Sequence, residues 1–137
     1  MFNCIQYSNG HCYKICDINK EIKSEGDKAC YLITECGATD SGLLQYHEIV
    51  VYYGYEMYKP QIRYLRHVGN NSHFMTYTKE GKYGYPYLTV YGRQNGNGYY
   101  TYTVRGIPSD GGADLVTCPS ETIYSSLTVY QEAENIS

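Results

Sequence analysis

Apolar positions fall into one stretch with helical spacing and a long series of β-type runs. Between Asp17 and Ile33, residues Ile18, Ile22, Ala29, Cys30 and Ile33 recur near the period of a helix, and Asp17 is placed to cap it. Gly26 in the middle weakens that helix by about 1 kcal/mol relative to alanine, so it should be short or lean on a core. Gly37 to Gly42 reads as a turn-rich exit. Strand-like runs follow: Glu48–Tyr58, interrupted by Lys59-Pro60, then Gln61–Val68 and His73–Thr78, separated by the loop Gly69-Asn70-Asn71-Ser72. A turn at Lys79–Gly84 leads to Tyr85–Tyr91 and Tyr99–Arg105. These two flank Gln94-Asn95-Gly96-Asn97-Gly98, where Asn-Gly supplies the positive φ angles of a hairpin turn. Ile107–Gly112 reads as a loop, and Asp114–Thr117 and Ile123–Gln131 complete the set. One helix followed by antiparallel strands predicts a single α+β domain over residues 1–137, with the helix packed on one face of a twisted sheet.

Composition sharpens this picture in two places. The chain of 137 residues carries nineteen Tyr, two Phe and no Trp. Tyrosine has an apolar ring and a polar tip, so it suits half-buried strand faces and binding surfaces. Such rings can stack bases, but they also stabilise sheets through cross-strand pairs, and that second role is the expectation here. Six cysteines (Cys4, Cys12, Cys16, Cys30, Cys36 and Cys118) point to an oxidising compartment and structural disulfides. They allow fifteen connectivities, and nothing in their spacing selects one. No Cys-x-x-Cys pair is present, which argues against a zinc site; no metal or other cofactor is expected.

Charge and targeting signals set further bounds. A formal charge of −3 disfavours strong non-specific attraction to RNA, DNA or anionic lipid. No window approaches the roughly 20 apolar residues of a membrane helix. Met1 runs straight into Phe2-Asn3-Cys4 without an apolar stretch, as expected of a mature secreted sequence. Asn70-Asn71-Ser72 and Asn135-Ile136-Ser137 are glycosylation sequons, the first in an expected loop. The four histidines are His11, His47, His67 and His73, and no nucleophile elbow, zinc-protease helix or phosphate-binding loop accompanies them.

Several stretches, in order, resemble the secreted fungal guanyl-specific ribonucleases. Gly112-Ala113-Asp114-Leu115-Val116 is similar to that family's Gly-Ala-Asp-Arg-Val strand, and Tyr124 and Tyr130 follow in the same register. Tyr83-Gly84-Tyr85-Pro86-Tyr87 resembles its aromatic-x-Glu-aromatic-Pro-Ile strand, and His67-Val68-Gly69-Asn70-Asn71 its His-x-x-Asn-Asn lead into the guanine loop. Ile22 to Ala29-Cys30 resembles the end of its helix. The resemblance implies that the general base is replaced by Gly84, the phosphoryl-stabilising arginine by Leu115 and the general acid by Tyr130, leaving His67 alone. It implies a base- or partner-binding loop at Asn70, Asn71 and His73, and a Cys30–Cys118 disulfide. A free tyrosine, with a pKa near 10, is a poor acid–base substitute at neutral pH.

A ribonuclease-like scaffold stripped of catalysis is similar to the RNase-like (RALPH-type) effectors of powdery mildew fungi, whose mature chains begin with an aromatic-x-Cys triplet like Phe2-Asn3-Cys4. This implies a secreted, monomeric virulence or avirulence effector that is not an enzyme and works in the host cytoplasm. Its partners would be host plant proteins, including an intracellular immune receptor, with weak RNA or ribosome binding, and neither DNA nor membrane. The alternatives are an active guanyl-preferring ribonuclease with rearranged catalytic groups and a tyrosine-rich structural or adhesion protein.

Overall fold

Residues 28–39 alternate strictly between inward and outward side chains over most of their length, and that alternation decides the architecture. The structure, a computed structural model, describes residues 2–7, 12–57, 60–69, 72–79, 81–85, 87–106, 113–115, 131–132 and 134–135. The strands among them are β1 (Phe2–Tyr7), β2 (Cys12–Ile18), β3 (Lys28–Thr39), β4 (Leu44–Gly54), β5 (Gln61–Val68), β6 (Ser72–Lys79), β7 (Tyr87–Gln94), β8 (Gly98–Gly106), β9 (Ala113–Leu115), β10 (Gln131–Glu132) and β11 (Glu134–Asn135). They form two sheets, ordered β1-β8-β3-β4-β5-β11 and β10-β6-β7-β2-β9. Pairing is antiparallel except where β11 joins β5. Both sheets contribute to one core, in which Tyr31, Tyr53, Tyr100 and Tyr102 are among the largest fully buried side chains. Much of the tyrosine content is therefore core.

The α+β expectation is overturned: among the described residues there is no α-helix, and the stretch read as Asp17–Ile33 is the end of β2, a loop and the start of β3. Asp17 does not cap a helix. Its carboxylate accepts a hydrogen bond from Thr89 Oγ1 of β7 at 2.8 Å and lies 3.1 Å from Lys14 Nζ. Gly26 sits at φ +93° in a turn where Asp27 Oδ2 accepts the Lys23 and Ser24 amides. From there Ala29, Tyr31 and Ile33 point inward, while Cys30, Leu32 and Thr34 point outward. Consecutive residues Ala29 and Cys30 thus lie on opposite faces, where the helical reading put them on one.

A second correction concerns the Asn95-Gly96 turn. The strands flanking it do not pair with each other: β7 bonds to β6 and β2, whereas β8 bonds to β3 and β1. The turn carries the chain from one sheet to the other instead of closing a hairpin. Two bulges adjust the alternation elsewhere. The β2–β7 register skips Ile15, which lets Ile15 and Cys16 both be buried. The β4–β5 register skips Leu65, which is left half exposed.

Candidate functional site: a buried carboxylate between the sheets

The inward alternation of β3 continues from Ile33 to Glu35, which places a carboxylate in the core with no exposed surface. Strand register sets its neighbours. Glu35 pairs with His47 of β4 on one side and Tyr102 of β8 on the other, and His47 pairs with His67 of β5. One row across four strands therefore reads His67, His47, Glu35, Tyr102. Facing it from the second sheet is the cross-strand pair Ser72–Gln94.

The side chains of the two sheets meet at Glu35. Ser72 Oγ donates to Glu35 Oε1 at 2.5 Å, Gln94 Nε2 donates to Oε2 at 3.0 Å, and the Tyr102 hydroxyl also donates to Oε2. Gln94 Nε2 donates in addition to Ser72 Oγ at 2.5 Å. His47 Nε2 lies 3.6 Å from Glu35 Oε1 and 3.3 Å from Gln45 Oε1. The His47 ring is boxed by the rings of His67, stacked at 5.8 Å, and of Tyr64 and Phe74, each at 5.7 Å. Its Nδ1 is buried and has no hydrogen-bond partner, nor has Gln94 Oε1. Over this end of the sandwich, Gly69 adopts φ +82°, and a β-carbon there would lie 2.4 Å from Gln45 Nε2; the loop needs glycine to approach so closely.

Burial pushes the two titratable groups in opposite directions. The Glu35 carboxyl is raised to about 7, with the Ser72, Tyr102 and Gln94 hydrogen bonds working against that shift. His47 is lowered to about 4 by burial and by the neighbouring His67 and His73. Between about pH 4 and 7 the pair holds one proton, carried by the Glu35 carboxyl while His47 is neutral. The arrangement can clamp the sheets and store a proton, but both groups are sealed from solvent.

The residues singled out by sequence are scattered. His67 lies at the exposed rim of the row, its Nδ1 3.3 Å from the Gly69 carbonyl. His73 is exposed on β6 and accepts from Asn95 Nδ2 at 3.0 Å. Gly84 ends a single 3₁₀ turn between β6 and β7, at the hairpin end marked by Lys79–Tyr87, whereas His67 is at the Ser72–Gln94 end. Seven strand steps of about 3.4 Å put these ends roughly 24 Å apart. Leu115 pairs with Cys16 at the edge of the second sheet. Tyr130, Asn70, Asn71 and Cys118 lie outside the described residues. Cys30 is a free, half-buried thiol on the outer face of β3.

Sequence reasoning missed Glu35, His47, Ser72, Gln94 and Tyr102. The available signal was a charged residue at an inward position of the alternation Ala29, Tyr31, Ile33, Glu35. Among the described residues no three His, Cys, Asp or Glu side chains are placed to hold a metal ion, and no helix is long and apolar enough to cross a membrane. Compared with known proteins, the chain matches no family model, no curated protein and no solved structure.

Proposed function

We propose that the protein is a secreted effector that acts inside plant cells by contacting host proteins, and that an intracellular immune receptor can detect it, without a reaction being catalysed. The observation that carries the non-catalytic part is the burial of Glu35 and His47. A general acid or base must come within hydrogen-bond reach of its substrate, and these two groups are enclosed by Ser72, Gln94, Tyr102, Tyr64 and Phe74. The effector part rests on a feature that needs no helix, the aromatic-x-Cys triplet Phe2-Asn3-Cys4. A rearranged ribonuclease is the second reading, favoured by one observation, since acid–base pairs in enzymes are often groups whose environments push their pKa values apart.

The test is expression in leaf cells, scoring pathogen growth or receptor-dependent cell death. The wild type and a folded His67→Ala variant are expected to act alike. An effect that disappears with His67→Ala, together with degradation of cellular RNA, would replace this reading by the nuclease.

A further inference from the structure

Three of the seven large exposed apolar side chains among the described residues, Leu44, Val68 and Tyr99, stand on the outer face of the first sheet. Leu44 of β4, Ala38 of β3 and Tyr99 of β8 stand in one register row. Val68, Tyr46, Cys36 and Thr101 form the next. Leu44, Val68 and Tyr99 are 57%, 50% and 58% exposed, far more than strand residues packed under another layer would be. Along β3 the small side chains Thr34, Cys36 and Ala38 lie between the larger Leu44 and Tyr46 on one side and Tyr99 on the other. The flanking strands are two spacings apart, about 10 Å, the width of one polypeptide segment.

Charge on this face leans basic. Among the described residues its outward positions include Lys28, Arg63, Arg66 and Arg105 against two carboxylates, Glu48 and, in register with Arg63, Glu134, on a chain whose formal charge is −3. Glu48 is itself engaged, accepting from the Tyr46 hydroxyl at 2.6 Å with Arg66 Nε 3.8 Å away.

Resting on the binding reading above, we infer that this face is the docking surface for a protein segment that lays apolar side chains over Thr34, Cys36 and Ala38 and sets carboxylates against Arg66 and Arg105. A second copy fits less well, because it would bring the same guanidinium groups into the contact. Single-stranded RNA fits less well too, since of the three exposed side chains Leu44, Val68 and Tyr99 only Tyr99 offers a ring for a base to stack on.

The probe is a phage-displayed library of random peptides, selected under reducing conditions, with the best binder synthesised for fluorescence anisotropy. Enriched sequences are expected to flank apolar residues with Asp and Glu. Leu44→Asp/Tyr99→Asp, at exposed positions and with an unchanged melting temperature, is expected to weaken binding at least about tenfold. Arg66→Glu/Arg105→Glu is expected to shift the selected flanks from acidic to basic. No enrichment, flanks without acidic bias, or binding that survives both variants overturns the proposal. So does competition by a labelled RNA oligonucleotide, or a dimer in sedimentation that Leu44→Asp dissolves. RNA turnover by the same preparation would instead remove the binding reading itself, so the two failures are distinct.

Discussion

Ser72 and Glu35 are 37 residues apart in sequence and on opposing sheets, yet the Ser72 hydroxyl meets the Glu35 carboxylate at 2.5 Å. This contact and the Gln94 bond tie the sheets together through one acidic group where the surrounding core is apolar or aromatic. A buried charge is stable only when such donors surround it, and removing one partner leaves the rest unpaired in a dry interior. Glu35 therefore fixes how β3 sits over β6 and β7.

The pH dependence of stability follows from the pair. Glu35, raised from 4.5 to about 7, keeps its proton longer folded than unfolded, so its contribution is present below about 4.5 and lost as pH rises through 7. His47, lowered from 6.5 to about 4, does the opposite: its contribution is present above 6.5 and lost as pH falls through 4. Between 4.5 and 6.5 the two slopes, each about 1.4 kcal/mol per pH unit at most, cancel. Wild-type urea midpoints should show almost no slope from this pair in that window. His47→Phe should lose stability as pH rises from 4.5 to 7, and Glu35→Gln should gain it as pH rises from 4 to 6.5. Parallel pH curves for all three proteins would show that the pair is not linked to folding.

Glycines at the same end of the first sheet separate steric from conformational constraint. A β-carbon at Gly37 would lie 2.2 Å from the Tyr99 carbonyl and 2.8 Å from the Tyr100 ring. At Gly42, φ is +90° but the space is open. Gly37→Ala should cost about 1–3 kcal/mol through overpacking, and Gly42→Ala about 1 kcal/mol through left-handed strain alone. Gly42→Asn should recover part of the latter loss, because asparagine tolerates that region, while Gly37→Asn should not recover anything. Thermal melts of the four variants test the ordering.

The bounds of β5, Gln61 to Val68, were readable from its residue types and flanking breakers, although the bulge at Leu65 interrupts its period-2 alternation. The first third was misread because Ala29-Cys30-Tyr31-Leu32-Ile33 is apolar on both faces of β3, so periodicity could not separate strand from helix. Glu35 made this worse, since a charge at an inward position ends the apolar alternation two residues early. The Asn95-Gly96 turn has the local chemistry of a hairpin, and only non-local pairing to β3, β2 and β6 shows that its strands part. The site was illegible for the same reason: its members, Glu35, His47, Ser72, Gln94 and Tyr102, come from five strands and share no motif.

Thiol reactivity should rank by position. Cys36 is exposed and Cys30 half-buried on the outer face, whereas Cys12 and Cys16 are fully buried. Burial raises the Cys12 thiol to about 12 and pushes Cys16 upward as well, which removes the reactive thiolate at neutral pH. Alkylation of the native protein followed by peptide mapping should label Cys36 first and Cys30 next. Cys12 and Cys16 should be labelled only after denaturant is added. Recovering Cys12 or Cys16 in a disulfide-linked peptide would contradict their free, buried state.

Purified protein should not cleave RNA. Transesterification at a guanosine phosphate needs one group to take the 2′-hydroxyl proton and another to protonate the leaving oxygen, each contributing about 10²–10⁴-fold. His67 stands at the rim with its Nδ1 3.3 Å from a backbone carbonyl, and Gly84 is at the far end of the β6–β7 hairpin, roughly 24 Å away by strand length. The nearest carboxylate in the His67 row is Glu35, which is enclosed. Among the described residues, the His67 row offers a substrate phosphate no accessible carboxylate to act with His67 unless the sheets opened. No turnover above a heat-treated control is therefore expected on guanosine-containing dinucleotides between pH 4 and 8. Glu35→Gln and His67→Ala should leave that baseline unchanged. Cleavage that co-elutes with the protein and falls in both variants would show that Glu35 becomes accessible and would establish the rearranged nuclease in place of the binding protein.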